Sequence, residues 1–280
     1  MLKLGIFGDQ STNLELLEQL KTMPETELVG VYFSGSIPVP SGFAEVSSPT
    51  GLMDISEAIL ILSDKCISSD LIRLILRKSK HVYLKTIPDL NVREINELID
   101  LEKEAGIVSF IYNPFNYIPH LDPFCHKFET PLLINLRSCF GNASMKPSHE
   151  ILLLVTALNR VVQSNYKKLD IFGIKESGTQ LAVNLRIEYD NGSVVNMTLS
   201  QEVLPGSCEI FEQTGRIKFE FDSQPYVEYP HLSQEYIAIG NYVRLIQNRG
   251  KRASSFDNLL NGVQVVQEIR EHLRFSEIDF

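Results

Sequence analysis

The first 35 residues constrain the fold of this chain more than any other segment. Residues 2–8 form a short apolar run that ends at Gly8, and residues 27–33 form a second such run. Between them, Thr12 to Glu15 has the form of a helix N-terminal capping box, and three leucines follow at helical spacing. Strand, turn, helix and strand in this order predict a β-α-β unit with two parallel strands.

The turn after the first apolar run lacks most of the residues with which such a unit binds a dinucleotide. The fingerprint G-x-G-x-x-G lets the backbone approach a pyrophosphate at the helix N-terminus. Here Gly8 is present, but Gln10 and Asn13 occupy the second and third glycine positions. The acidic residue that would bond the ribose hydroxyls at the end of the second strand is Phe33. The sequence therefore predicts the scaffold together with weak or absent nucleotide binding.

Composition excludes several classes of protein. The net charge of −9 over 280 residues offers no basic stripe for a nucleic acid. No apolar run approaches the ~20 residues of a membrane span, and the N-terminus has no signal-peptide pattern, so we expect a cytoplasmic protein. The histidines share no metal-ligand spacing, which predicts no metal site. Four cysteines without C-x-x-C spacing favour free thiols, at Cys66, Cys125, Cys139 and Cys208.

The pattern of the chain changes near Pro119. Up to that point short apolar runs alternate with helical patterns, which predicts a doubly wound parallel sheet. After it, strands alternate apolar and polar residues, and Asp190 to Gly192 is a hairpin turn. We therefore predict a Rossmann-like domain over 1–118 and an α+β domain with a mainly antiparallel sheet over 119–280. The later helices are predicted over 150–162, 234–247 and 256–273, the last with Ser255 as N-cap.

Five local matches, in the right order, carry a resemblance to a known family. They are Leu4 to Gly8 with Pro24 to Val31, Lys80 to Pro88, Ile111 to Pro119, Cys208 to Phe221, and Ser254 to Ser276. Over nearly the whole chain the sequence resembles the Gfo/Idh/MocA family of NAD(P)-dependent oxidoreductases. The resemblance implies hydride exchange between NAD or NADP and a secondary alcohol, often on a sugar or cyclitol.

Two catalytic residues follow from the resemblance. The lysine of the family's E-K-P motif corresponds to Lys85, and the histidine that acts as base corresponds to His149. Three neighbours depart from the family pattern, because Leu84, Thr86 and Met145 stand where it has glutamate, proline and aspartate. From the residues alone, Lys85 is equally well a solvent-exposed lysine at a strand end, and His149 a surface residue near a helix start.

The resemblance also implies two sets of binding residues. Those predicted at the nucleotide are Gly8, Ser11, Thr12, Ser34 and Ser63. Those predicted to line the substrate cleft between the domains are Tyr112, Asn113 and Asn116. Ordinary structural roles compete in both sets, since Thr12 serves equally well as a helix cap and Asn-Pro is a turn pattern.

Two main functions remain open at this stage, beside an enzyme of another class that uses the same cleft. The first is an NAD(P)-dependent oxidoreductase of weak activity on a sugar, cyclitol or similar polyol. The second is a non-catalytic relative that acts as a small-molecule sensor or a protein-interaction module. In either case we expect a homo-oligomer formed through the C-terminal sheet, with candidate contacts on whichever face is exposed, at Val183, Leu185, Met197 and Leu199.

Overall fold

The computed structural model describes most of the chain. The described residues are 1–35, 38–63, 68–118, 121, 127–139, 147–175, 181–200, 206–221, 233–248 and 255–275. The chain divides into two compact units. The first comprises Met1–Tyr112 and Val227–Asp257, and the second comprises Asn113–Tyr226 and Asn258–Phe280.

The strands and helices follow one another in a fixed order. They are β1 Leu2–Gly8, α1 Leu14–Lys21, β2 Thr26–Phe33, α2 Pro49–Ile55, β3 Ala58–Ile61, α3 Ser69–Arg77, β4 His81–Leu84, α4 Val92–Ala105, β5 Ser109–Ile111, β6 Leu133–Cys139, α5 Pro147–Val162, β7 Tyr166–Lys175, β8 Leu181–Tyr189, β9 Val194–Ser200, β10 Gly206–Glu212, β11 Gly215–Phe221, α6 Gln234–Gln247 and α7 Ser255–Phe275. A 3₁₀ turn, Pro114–Tyr117, lies between β5 and β6.

The first unit is built on a parallel sheet with the strand order β2-β1-β3-β4-β5. All four residues of β3 are fully buried, as expected for a strand covered on both faces. Beyond β2 the chain adds one parallel bridge, where Val31 pairs with Glu45. Counting that bridge as a reduced strand gives the order of a Rossmann fold. The predicted doubly wound sheet is confirmed.

Helix α6 belongs to the first unit although it lies late in the sequence. Its Tyr242 is fully buried and packs against two aromatic rings of the sheet, with centroids 5.8 Å from Tyr83 and 6.0 Å from Phe110. Ser233 caps its N-terminus by accepting a hydrogen bond from Tyr236 N at 3.1 Å. These contacts hold α6, including its first turn, within the first unit.

The second unit contains a six-stranded sheet with the order β11-β10-β6-β9-β8-β7. All neighbouring strands are antiparallel except β6 and β9, so the predicted mainly antiparallel sheet is confirmed. The four side chains predicted as oligomer contacts are fully buried within this unit. A subunit contact through this sheet would therefore use the opposite face, which is polar at Asn184, Arg186 and Thr198.

Two predicted helix caps are wrong. Asn13, and not Thr12, caps α1, because its Oδ1 accepts hydrogen bonds from Glu15 N and Leu16 N. Ser255 is the first residue of α7 and does not precede it. The sequence patterns also did not predict α2, β6 or β7, of which α2 is only seven residues long.

The described ranges contain no helix that is both long and apolar enough to cross a membrane. Within the same ranges, no three His, Cys, Asp or Glu side chains are grouped as metal ligands. Cys208 is a buried free cysteine on β10, and burial raises the pKa of its thiol to about 12.

Two helical glycines should respond oppositely to alanine. A Cβ at Gly262 in α7 would lie 3.2 Å from Leu152 O and 3.0 Å from Thr156 Oγ1 in α5, whereas nothing lies within 4 Å of one at Gly240 in α6. We expect Gly262→Ala to destabilise the protein by about 1–3 kcal/mol through overpacking. Gly240→Ala should stabilise it by up to about 1 kcal/mol through helix propensity. Urea unfolding followed by circular dichroism measures both, and a stabilising Gly262→Ala would contradict the close packing of α5 and α7.

Candidate functional site

The carboxyl edge of the parallel sheet gathers five of the predicted site residues. Gly8 ends β1, while Ser34, Ser63, Lys85 and Tyr112 follow the ends of the other four strands. Parallel pairing places these positions on one edge, because all five strands point in the same direction. In open α/β sheets ligands bind outside the carboxyl ends of the strands. This edge is therefore the candidate site of the first unit.

Lys85 is held at this edge by its backbone and faces a carboxylate. Its backbone N–H donates to Ile61 O at 3.0 Å, which extends the pairing of β3 and β4 by one bond. Its Nζ lies 4.0 Å from Oε2 of Glu235, and the two side chains are 25% and 14% exposed. A partly buried cation beside a carboxylate can hold a hydroxyl group and exchange hydrogen bonds with it.

Tyr112 contacts the first turn of α6, the turn that also contains Glu235. Its hydroxyl donates to Oε1 of Gln234 at 3.2 Å, across 122 residues of sequence. The first two residues of α6 thus each have a partner at the sheet edge, since Gln234 bonds Tyr112 and Glu235 faces Lys85. Sequence reasoning did not find these two partners, because the pattern that predicted α6 says nothing about the sheet edge on which its first turn lies.

The turn between β1 and α1 is closed by its own hydrogen bonds. Asp9 is only 3% exposed, and its Oδ1 accepts hydrogen bonds from Ser11 N, at 2.7 Å, and from Ser11 Oγ. Asp9 O accepts from Thr12 N at 3.0 Å, and Asp9 N donates to Thr12 Oγ1 at 2.9 Å. Ser11 and Thr12, which were predicted to contact phosphate, are therefore bonded to Asp9. Asp9 occupies an x position of the fingerprint G-x-G-x-x-G, for which no residue type is specified.

Phe33 packs directly on this turn. A Cβ added to Gly8 would lie 2.7 Å from Cδ1 of the Phe33 ring and 2.7 Å from Thr12 Oγ1, so only glycine fits at this position. The ring is largely buried. Ser34 N donates to Gly8 O at 3.0 Å, and Ser63 is fully buried at the end of β3. The side of the turn that would face ribose is covered by an aromatic ring.

These contacts do not fit a dinucleotide bound in the usual pose. That pose needs free backbone N–H groups at the helix N-terminus and an acidic side chain at the end of β2. Here Ser11 N and Thr12 N are already bonded within the turn, a carboxylate lies beside them, and Phe33 replaces the acid. The predicted NAD or NADP site therefore has the scaffold without the contacts.

His149 lies at the start of α5 in the second unit and is half-buried. Its neighbour Ser148 is buried, and Ser148 Oγ accepts a hydrogen bond from Arg270 Nη2 at 3.2 Å. The other neighbour, Glu150, is half-buried, and burial raises the pKa of its carboxyl to about 7 although a hydrogen bond from Ser138 Oγ opposes the shift. A carboxyl group that titrates near neutral pH is a candidate general base, and no sequence pattern indicated that Glu150 would be half-buried.

Asn113 has a structural role, because both the oxygen and the nitrogen of its side-chain amide form hydrogen bonds. Its Oδ1 accepts from Phe115 N at 3.0 Å, and its Nδ2 donates to Leu153 O in α5 at 2.8 Å. Asn116 is half-buried in the same 3₁₀ turn, and its backbone N–H donates to Asn113 O at 3.1 Å. Met145, one departure from the family motif, lies outside the described residues.

Known proteins match this chain in structure but not in sequence. No protein-family model matches it, and no curated protein does. A probable dehydrogenase from Thermotoga maritima superposes with a TM-score of 0.81 at 12% identity, covering 98% of this chain and 97% of that one. The fold is that of the Gfo/Idh/MocA dehydrogenases.

Two further solved structures carry names that describe their chemistry. UDP-N-acetylglucosamine 3-dehydrogenase from Acidithiobacillus ferrooxidans matches with a TM-score of 0.74 at 13% identity, covering 96% of this chain and 97% of that one. A protein of gentamicin A biosynthesis, solved in complex with NAD, matches with a TM-score of 0.70 at 10% identity, covering 97% and 94%. At these identities the Gfo/Idh/MocA likeness establishes the fold.

The raised pKa of Glu150 predicts a pH-dependent stability. The unperturbed value is 4.5 and the folded value about 7, so the folded state holds a proton that the unfolded chain releases in this window. Stability from this group is therefore lost as the pH rises from about 4.5 to about 7. Glu150→Gln should gain stability relative to the parent between about pH 5 and about pH 8. Urea titrations measure this gain, with Glu220→Gln on the exposed part of β11 as control; parallel pH profiles for Glu150→Gln and the parent would contradict the shift.

Proposed function

We propose that this protein is an oxidoreductase that acts on a hydroxyl group of a sugar, cyclitol or similar polyol. The proposal is supported by its shared fold with dehydrogenases, of which one is named for a nucleotide sugar and one was solved with NAD. NAD or NADP is the cofactor that this fold implies. The closed turn around Asp9 predicts that the chain holds such a nucleotide weakly.

The position of Lys85 is the observation that carries the proposal. Oxidation of a secondary alcohol removes the hydroxyl proton, and a nearby cation stabilises the negative charge that builds up on the oxygen. Lys85 Nζ offers three donors at the carboxyl edge of the sheet, beside Glu235. Glu235 lies 4.0 Å from the ammonium group and is proposed as a positioning residue for Lys85.

The reaction also needs a group that accepts the hydroxyl proton. His149 is the residue that the family resemblance assigns to this role. Glu150 is a second candidate, because its carboxyl titrates near pH 7 and so accepts a proton at neutral pH. The departure of Met145 from the family's aspartate makes a second acceptor beside His149 chemically useful.

A second candidate function is a protein that binds a polyol without turning it over. The observation that favours it is the turn at Asp9, whose internal hydrogen bonds occupy groups that a dinucleotide needs. In this case Lys85, Glu235 and Gln234 would still provide charged and polar contacts for hydroxyl groups at the sheet edge. The cytoplasmic location and the homo-oligomer remain predictions from the sequence.

Two lysines that flank β4 provide the test. Lys85 follows the strand at the carboxyl edge, whereas Lys80 precedes it at the opposite edge and donates to Ser56 O at 2.8 Å. We expect Lys85→Ala to lower turnover of a responsive sugar or cyclitol by roughly 100-fold or more, because it removes the group that stabilises the developing charge. Lys80→Ala should leave turnover unchanged. Spectrophotometric assays over a polyol panel, with NAD and NADP at high concentration, measure both rates.

Equal loss in the two variants would point to a folding defect and contradict the role of Lys85. If the parent protein turns over no member of the panel with either nucleotide, the oxidoreductase proposal is wrong. Calorimetric binding of a polyol that depends on Lys85 would then favour the second candidate.

A further inference from the structure

The turn between β1 and α1 carries a buried acidic residue. Asp9 follows Gly8 directly, is 3% exposed, and lies before α1 begins at Leu14. A helix N-terminus is a site of positive potential with unpaired N–H groups, and an anion placed there is stabilised. In dinucleotide-binding domains of this type the anion is the pyrophosphate of the ligand.

In this chain the carboxylate of Asp9 accepts hydrogen bonds within the turn that leads into α1. It bonds the backbone N–H and the hydroxyl of Ser11, and the backbone of Asp9 bonds both Thr12 N and Thr12 Oγ1. Asn13 then takes the next donors, Glu15 N and Leu16 N, with its side chain. Five backbone N–H groups between Asp9 and Leu16 are thus bonded within the chain, and the last two of them belong to the first turn of α1.

Charge acts in the same direction as the hydrogen bonds. A pyrophosphate brought to this turn would approach a carboxylate that already accepts hydrogen bonds from the donors that the pyrophosphate would need. The negative charges of the carboxylate and the pyrophosphate would repel each other. The burial of Asp9 weakens the screening of this repulsion by solvent. Phe33 adds a steric and apolar barrier, since its ring lies against Gly8 where a ribose-binding acid would stand.

We propose that Asp9 is a built-in anion that occupies the pyrophosphate position of this fold and determines its low affinity for dinucleotides. This inference rests on the proposed function only in treating the Gly8 turn as the nucleotide turn. Asp9 is a specificity-determining residue in this sense: it selects against nucleotide phosphates at the turn, while leaving the sheet edge at Lys85 and Glu235 available to a neutral polyol.

Calorimetric titration of the full chain with NADH and NADPH tests the proposal. The parent should bind both weakly, and Asp9→Ala should bind at least one of them about 10-fold or more tightly than the parent, because it frees the Ser11 donors and removes the charge. Asp9→Asn keeps an acceptor for Ser11 N but loses the charge, so its gain should be smaller than that of Asp9→Ala. The gain should shrink as salt is added, because part of it is electrostatic.

A matched control removes the same charge elsewhere in the same unit. Asp70 lies in the first turn of α3, is exposed, and pairs with Arg73 at 2.9 Å. Asp70→Ala should leave nucleotide affinity unchanged. Circular dichroism of each variant verifies the fold, and Asp9→Asn serves as the deciding variant if Asp9→Ala does not fold.

Three outcomes would overturn the proposal. They are micromolar binding of NADH or NADPH by the parent, no gain in affinity in the folded Asp9 variant, and an equal gain in Asp70→Ala. The experiment measures nucleotide binding and not turnover. Failure of the Asp9 proposal can therefore be told apart from failure of the proposed function. An Asp9 variant that gains nucleotide affinity but oxidises no polyol supports the inference and counts against the oxidoreductase.

Discussion

Parallel pairing around the buried strand β3 is the constraint on which the first unit depends. A strand with no exposed residue must satisfy its backbone groups within the sheet, so β1 and β4 have to flank it on both sides. The same pairing fixes the direction of every strand and brings their carboxyl ends to one edge. Gly8, Lys85 and Tyr112 all lie along that edge as a result, although they come from distant parts of the sequence.

Two groups of charged residues at this edge differ in how accessible they are to a ligand. Lys85 and Glu235 form a pair that is partly open to solvent, where a ligand can exchange hydrogen bonds without displacing the fold. Asp9, in contrast, is buried and bonded to the turn on which it lies. A ligand competes with solvent at the first position and with the protein itself at the second. The fold is shared with dehydrogenases, while the two halves of this sheet edge differ in chemistry.

The sequence predicted the periodic parts of the fold well. Helix α6 has the bounds expected from its apolar pattern, because its buried residues recur at helical spacing. The cap of α1 was predicted incorrectly since two side chains, Thr12 and Asn13, compete for the same N–H groups. Propensity ranks such residues similarly, and only the Asp9 contacts draw Thr12 away from the helix.

The site was less predictable than the fold for a physical reason. The position of Lys85 follows from its place after a strand, so a local pattern is enough. Its contact with Glu235, the hydrogen bond of Tyr112 to Gln234 and the burial of Glu150 depend on packing between segments far apart in sequence. No single sequence carries that information. The structural role of Asn113 was likewise hidden, because its bond to Leu153 O crosses 40 residues.

The return of α6 to the first unit has a consequence for how this protein can be divided. The aromatic faces of Tyr83 and Phe110 are covered by Tyr242, a residue encoded more than a hundred positions later. A fragment that stops at Tyr112 would contain the whole parallel sheet and yet leave these rings exposed to water. The smallest autonomous form of the sheet therefore needs two pieces of chain, which couples its folding to completion of nearly the entire polypeptide during synthesis.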